Sequence, residues 1–439
     1  MTTVPPPPPS DAWDGHERGT RAFRDVRLAL LFAGIVTFAQ LYAPQAVLPQ
    51  ISAEFEVEAS HASLMVSLGT LGVALSAIPW SLVADRFGRV RVMIWSVTSA
   101  TLLGFITAAM PYFEVALALR LLEGIALGGV PAVALAYLNE EIATRVAPLV
   151  AGTYVAGNTI GGLSGRLISA PLGDVLGWRI GLLGVSILAV AATIAFIAVV
   201  PQPRGFTPPR RGEIAFARQV TTTLGHVASH LRTPSLIGVY AQPMLLMGGF
   251  VAMYNFLGFR LLADPYRLPT WLVGLAFLAY LAGSATSPIA GSLAARFPRK
   301  YVLLGCTLVM LAGTALTLAA PVWLILAGLI VMTGGFFAAH SVASGIAGSI
   351  PHRGRAQSSA IYNFNYYLGS SVFGFLGGVL YVAFGWIGTV AMVAALIVLA
   401  LLFALVLIPA ATPAAPPAAA RPIASPSGVS ATKGPAAAP

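Results

Sequence analysis

Arg120 and Glu123 stand three residues apart inside an apolar run, 112–138. On a helix that spacing puts both on one face, close enough to pair. A charge in the interior of a membrane is costly unless it is paired or hydrated, so such residues are functional candidates by default. A carboxyl beside an arginine is suited to proton transfer, because the arginine can alternately hold and release it. The same pair also reads as a permanent structural ion pair. Arg166 is a third intramembrane charge, in the run 148–171. It is expected either to attract an anion or to pair with Glu123 or Glu114. His340, in the run 322–349, reads as a hydrogen-bonded packing residue or as part of a proton relay.

Uncharged polar residues recur in other apolar runs. These are Gln40, Tyr42 and Gln45, then Gln242, Tyr254 and Asn255, then Tyr362, Asn363, Asn365 and Tyr366. Each alone reads as a satisfied interhelical hydrogen bond. As a set they mark a substrate cavity, because aromatic and amide side chains stack on and hydrogen-bond to small polar or amphiphilic molecules. No H-E-x-x-H, G-x-S-x-G or G-x-x-x-x-G-K-[ST] pattern occurs, so zinc-peptidase, serine-hydrolase and ATP-driven chemistry are not signalled. No metal site or cofactor is expected, and the single Cys306 precludes an internal disulfide.

The elements that position these residues follow from composition. The chain of 439 residues is 57% hydrophobic and only 9% charged, with mean hydropathy +0.83. A soluble domain carries roughly 25% charged residues, so lipid must be the solvent for most of this chain. About 20 apolar residues in a helix span the hydrocarbon core. Such runs fall at 28–50, 62–84, 92–110, 112–138, 148–171, 180–200, 236–259, 270–295, 302–320, 322–349, 358–384 and 387–409, divided by turns such as Met110-Pro111, Gly177-Trp178, Ala320-Pro321 and Gly385-Trp386. The runs are continuous rather than alternating, which excludes a membrane barrel.

The net charge of +10 does not point to nucleic acid, since the basic residues lie between apolar runs. With the N-terminus in the cytoplasm, 20 of the 25 Lys and Arg residues fall on the inside, as the positive-inside rule requires. Both termini are then cytoplasmic. Met1–Arg21 lacks the apolar core of a secretory signal. The expected organisation is a disordered N-tail over 1–24, a six-helix bundle over 25–200, a cytoplasmic loop over 201–235, a second bundle over 236–409 and a disordered tail over 410–439.

The two halves echo one another. Ala84, Arg86, Phe87 and Arg89 recur as Ala294, Arg296, Phe297 and Arg299, each at an offset of 210 and each after the second helix of its half. Gly124 is echoed by Gly334, and Gly157, Gly162 and Gly165 by Gly369, Gly374 and Gly377. Duplicated helical halves are a hallmark of transporters.

With these motifs in place the sequence resembles the major facilitator superfamily over roughly 25–409. Asp85-Arg86-Phe87-Gly88-Arg89-Val90-Arg91 is similar to that family's loop motif G-x-L-A-D-R-x-G-R-R/K-R, with Ser81 in place of the first Gly. Arg120-Leu-Leu-Glu123-Gly124 is similar to its helix 4 motif R-x-x-Q-G. Gly157, Gly161, Gly162 and Gly165 resemble the helix 5 antiporter motif g-x-x-x-G-P-x-x-G-G, although Gly162 stands at the proline and Arg166 at the final glycine. Leu41-Tyr-Ala-Pro and Gly334-Gly-Phe-Phe-Ala-Ala-His340-Ser341 are similar to a bacterial subgroup of sugar and drug efflux permeases.

The resemblance implies an all-α fold of 12 transmembrane helices in two pseudo-symmetric bundles, in the bacterial inner membrane. It implies gating by Asp85, Arg86, Gly88 and Arg89 and proton coupling through Glu123, Arg120 and His340. The helix 5 glycines would serve close helix packing. The expected function is proton-coupled efflux of a small molecule such as a sugar or drug, by alternating access, in a monomer whose partners are the cargo, protons and lipid. Proton-coupled uptake of a sugar or organic acid is the second reading, and a membrane-embedded enzyme or sensor is the reading from another class.

Overall fold

The computed structural model describes residues 13–206, 225–351 and 354–410. Readings that fall elsewhere, including the positive charges of Arg210, Arg211, Arg218, Arg353, Arg421 and Lys433, lie outside the described residues. The described chain is nearly all helical, with one isolated β-bridge between His16 and Ile142. The helices are α1 (Arg21–Tyr42), α2 (Ala59–Phe87), α3 (Arg89–Ala109), α4 (Phe113–Glu141), α5 (Ala147–Leu176), α6 (Trp178–Val199), α7 (Pro234–Leu262), α8 (Thr270–Arg296), α9 (Arg299–Leu316) and α10 (Val322–Ser349), followed by one run, Arg355–Leu407.

Ten segments among the described residues are long and apolar enough to cross a membrane. The last of them holds 51 residues, more than twice the length that one crossing needs. At Gly385 its backbone takes φ 64°, ψ −155°, a conformation that only glycine adopts readily. Beyond that point Thr389 Oγ1 donates to the Gly377 carbonyl at 3.1 Å. The chain therefore doubles back into two limbs, α11 (355–384) and α12 (386–407). With both limbs and the 30-residue α5, the structure is consistent with twelve crossing helices.

Lipid provides no hydrophobic drive to join apolar helices, so close backbone approach must do it. On α5 a methyl group at Gly157, Gly161 or Gly165 would drive into the α1 carbonyls of Leu31, Ile35 and Ala39. In the second half Gly369 on α11 meets the Met244 carbonyl on α7 in the same way. Gly162 differs from this expectation. Its nearest neighbours are the Arg166 side chain and, at 3.9 Å, Phe38, so it packs no helix backbone.

Two departures concern the start of the chain. Residues 13–24, read from sequence as part of a disordered tail, are ordered: His16 N–H bonds to the Glu141 carbonyl at 2.7 Å, Trp13 Nε1 bonds to the Glu140 carbonyl at 2.8 Å, and α1 already begins at Arg21. Backbone pairing and the indole hydrogen bond of the exposed Trp13 hold this segment to the end of α4. The first helix also stops early, at Tyr42, and gives way to a 3-10 turn over Ala43–Ala46. Pro44 cannot supply the N–H that Gln40's carbonyl needs, so the helix breaks there.

The two halves, α1–α6 and α7–α12, touch near the end carrying the α1–α2 turn, here called the upper end. Gln45 Nε2 donates to Asn255 Oδ1 at 2.7 Å, and Gln50 Nε2 to Thr270 Oγ1 at 3.3 Å. Asp174 accepts the first N–H of α8, from Thr270, at 3.1 Å, placing a carboxylate at the positive end of that helix. Gly374 and Gly378 of α11 lie against Ser67 and Ser60 of α2, and Gly274 lies against Ala170 of α5.

The same helix faces part lower down. Gly152 lies eighteen residues, or five turns, before Ala170, and a Cβ there would have nothing within 4 Å. Asn363 lies three turns before Gly374 and is exposed, and Ile78, three turns beyond Ser67, is 59% exposed. The cleft between the halves is closed above and open below.

Candidate functional site

Arg120 and Glu123 pair at 2.8 Å inside the first half, with both side chains almost wholly buried. Arg120 also donates from Nε to the Met65 carbonyl at 2.7 Å, from Nη2 to Leu41 at 2.8 Å and from Nη1 to Gln40 at 3.4 Å. The last two are the carbonyls left open where α1 breaks before Pro44. One arginine thus caps the end of α1, ties it to α2 and α4, and neutralises Glu123. A cavity of about 20 Å³ adjoins the pair, lined by Gln40, Thr107, Arg120, Glu123 and Ser186 among others. That is room for one water. It lies among α1, α3, α4 and α6 rather than in the cleft.

Arg166 has a different setting. It is 1% exposed and its guanidinium reaches back one turn, so that Nη1 donates to the Gly162 carbonyl at 2.6 Å. A Cβ on residue 162 would stand 3.3 Å from Nη1, which explains a glycine where helix packing does not ask for one. Nε and Nη2 both donate to Gln45 Oε1, at 2.8 and 2.6 Å, and Nη2 also reaches Tyr280 Oη at 3.1 Å. The rings of Tyr42, Phe277 and Tyr280 lie 4.7 to 4.9 Å from the guanidinium carbon, within cation–π range. Among the described residues no carboxylate lies within ion-pair distance of Arg166. The expected pairing with Glu123 or Glu114 does not form, because Arg120 holds Glu123 and Gln45 takes the fork of Arg166.

Aromatic rings continue from this centre toward the open end. Tyr280 meets Phe337 edge-on at 5.8 Å, Phe337 meets Phe336 at 5.1 Å, and Phe336 stacks on His340 at 5.9 Å. His340 lies 5.0 Å from Tyr366 and its Nδ1 is 3.0 Å from Tyr362 Oη. Phe337, His340 and Tyr366 keep partial exposure.

The polar residues grouped by sequence therefore separate into three sets. Gln45, Asn255, Tyr42 and Arg166 lie at the contact between halves. Tyr362, Asn363 and Tyr366 lie at the opening, with His340. The rest make their hydrogen bonds within one bundle: Gln40 with Val36 and Thr101, Gln242 with Gly238 and Ala400, Tyr254 with Thr333 at 2.7 Å, and Asn365 with Ile361. These four do not line a common cavity. Sequence reasoning missed Phe277, Tyr280, Gln50 and Asp174. The aromatic pair at i, i+3 in an apolar run carries no signal of its own, but Asp174, an acid three residues before a glycine turn, could have been read as a cap.

At the lower end Arg89 bonds to both Asp85, at 2.6 Å, and Glu140, at 3.1 Å. Gly88 takes φ 94° at the cap between α2 and α3, and Arg86 lies over the Phe87 ring at 5.4 Å. Glu141 accepts the N–H groups of Arg204 and Gly205, both at 2.8 Å. Burial holds the His16 imidazole below its ordinary pKa, so backbone dipoles rather than a histidine cation meet the Glu141 charge. In the second half Arg299 bonds to Ser349 Oγ at 3.0 Å, at the lower end of α10. The geometry of Arg89 on α4 is thus repeated with a neutral partner.

The sequence model of the Major Facilitator Superfamily matches residues 30–279 and 269–435. The chain is 39% identical over 385 residues to the inner membrane transport protein YnfM of Escherichia coli, covering 88% of this chain and 91% of that one. It is 32% identical to the MFS-type transporter YybF of Bacillus subtilis, covering 88% and 93%. Among solved structures it superposes on an inward-facing, occupied bacterial homolog of the human lysosomal transporter Spinster with TM-score 0.74, at 15% identity over 88% of this chain and 97% of that one. A duplicated all-helical membrane fold, a cleft between its halves and two independent sequence matches converge, and the chain belongs to the Major Facilitator Superfamily of transporters.

Proposed function

We propose that this transporter exports a small molecule in exchange for protons, from the inner membrane of a bacterium, with its lower end and both termini in the cytoplasm. Bundles over 25–200 and 236–409 rock about the cleft, and on this orientation its open lower end faces the cytoplasm. The observation that supports coupling is the break in α1. Arg120 grips the carbonyls just before it, Gln40 and Leu41, and Arg166 grips Gln45 just after it. Glu123 is the proton carrier, served by the adjoining one-water cavity. When Glu123 takes a proton its hold on Arg120 weakens, the end of α1 is freed, and the change passes over residues 42–46 to Gln45 and the upper gate. Asp85, Arg89 and Glu140 form the lower latch, with Arg86 and Gly88 shaping its loop, and His340 with Tyr362 stands at the mouth of the cleft.

Efflux is favoured over uptake by the glycine series of α5. Direction and coupling are tested together in inverted membrane vesicles carrying an imposed pH gradient, with cargo found by screening a deletion strain for sensitivity to toxic compounds. Cargo should accumulate in vesicles that are acid inside. The Glu123→Gln protein should keep cargo exchange and lose stimulation by the gradient. Undiminished gradient-driven flux in that variant would remove Glu123 from the proton path, and accumulation under the opposite gradient would establish uptake.

A further inference from the structure

Arg166 holds the only buried intramembrane guanidinium among the described residues that is met by neutral acceptors alone. Its Nε and Nη2, the edge that receives a carboxylate in two parallel hydrogen bonds, both point at the single oxygen Oε1 of Gln45. A neutral amide occupies that edge without cancelling the charge. Tyr42, Phe277 and Tyr280 enclose the guanidinium with ring faces, and the aromatic tract through Phe337 and His340 leads from it to the open mouth.

We propose that Arg166 binds the carboxylate of an organic acid with a planar or apolar body, and that this acid is the exported cargo. The inference rests on the transport reading above and names its substrate class. A carboxylate arriving along the ring tract displaces Gln45 from the fork, since two charge-assisted bonds replace two bonds to a neutral oxygen. Gln45 is also the donor to Asn255 across the halves. Binding therefore removes one of the bonds that keep the upper end shut, which ties opening of the gate to the presence of cargo. The rings suit a flat apolar body. A hydroxyl-dense sugar would find few partners along them.

The test uses the purified full-length protein at pH 7.5. Thermal unfolding is followed with benzoate, sorbate and hexanoate, with benzamide, sorbamide and hexanamide, and with inorganic phosphate. At least one of the carboxylates should raise the melting temperature, its amide counterpart and phosphate binding at least tenfold more weakly. Arg166→Gln should lose the shift. Gln45→Glu is the second variant: it places a carboxylate on Arg166 with almost no change of shape, and the ion pair so formed offsets loss of the amide donor to Asn255. It should melt no lower than the parent and bind the acid at least tenfold more weakly.

Equal binding of acid and amide, equal binding of phosphate, unaltered acid binding in both variants, or no shift with any of the three carboxylates would each overturn the proposal. The same acids are then followed in inverted vesicles. Acid binding without gradient-driven flux sinks the exporter reading and leaves the anion site standing, whereas gradient-driven flux of a neutral cargo that survives Arg166→Gln does the reverse.

Discussion

Arg120 and Arg166 are both buried, both lie in the first half, and both reach toward α1 within six residues of its break, yet their surroundings are opposite. Arg120 has a carboxylate at 2.8 Å and three backbone carbonyls. Arg166 has an amide oxygen, a tyrosine hydroxyl, one carbonyl of its own helix and three aromatic faces. A buried cation is tolerable only when its charge and donors are answered. For Arg120 the protein answers both. For Arg166 it answers the donors and leaves the charge. The first arrangement belongs to a helix joint that must hold while protons come and go, the second to a place where an outside charge is expected to arrive.

That contrast predicts an order of stability. Arg120→Gln leaves Glu123 buried without its partner and uncaps the end of α1, and should cost about 3–5 kcal/mol, seen as lower yield and a large drop in melting temperature in detergent. Arg120→Gln with Glu123→Gln removes both charges and should recover most of that loss. Arg166→Gln strands no opposite charge. It should cost about 1–3 kcal/mol, the price of leaving the Gln45 and Tyr280 oxygens short of a donor. A larger loss for Arg166→Gln than for Arg120→Gln would reverse the assignment of the two roles.

Much of this was legible in the sequence and some was not, for physical reasons. Helix positions follow from apolar runs alone, and the Arg120–Glu123 pair follows from i, i+3 spacing within one run. The turns at Pro111, Gly177, Pro321 and Gly385 appear where proline and glycine place them. Partners of Arg166 were hidden because they come from elements far away in sequence: Gln45 from beyond the α1 break, Phe277 and Tyr280 from α8 in the other half. No spacing rule connects residues 121 or 114 positions apart. Local pattern also could not separate Gln40 and Gln242, which serve their own bundles, from Gln45, which crosses between halves. Gly162 was grouped with its neighbours by motif, whereas its actual contact is with a side chain four residues away.

The glycines of α5 sharpen the contrast on a single helix. Gly165→Val pushes a branched side chain into the Ala39 carbonyl on α1 and should destabilise by roughly 1–3 kcal/mol through overpacking, lowering the melting temperature whether or not cargo is present. Gly162→Ala presses on the Arg166 guanidinium, at 3.3 Å, and merely touches Phe38, at 3.9 Å, and should leave the melting temperature within about 1 °C while weakening transport severalfold by displacing Nη1. If the two substitutions act alike, Gly162 is packing after all and the guanidinium is not tuned by it.

The smallest effects are expected at the lower end, where the two loop copies provide the same contrast in solvent. Arg89 bridges two carboxylates, Asp85 and Glu140, whereas Arg299 meets a serine hydroxyl. Partly exposed ion pairs contribute only about 0–1 kcal/mol, so neither Arg89→Gln nor Arg299→Gln should move the melting temperature by more than a degree or two. Their effects on turnover should still differ. Releasing Asp85 and Glu140 from Arg89 leaves two like charges facing each other across the α2–α4 contact, and removes a latch that has to reform in each cycle. Releasing Ser349 leaves nothing charged behind. Transport rates measured in proteoliposomes should fall several-fold for Arg89→Gln and stay within a factor of two for Arg299→Gln. Equal rates in the two variants would mean that the loop arginines only set topology, and that the gate is worked from the upper end, by Gln45 and Asn255.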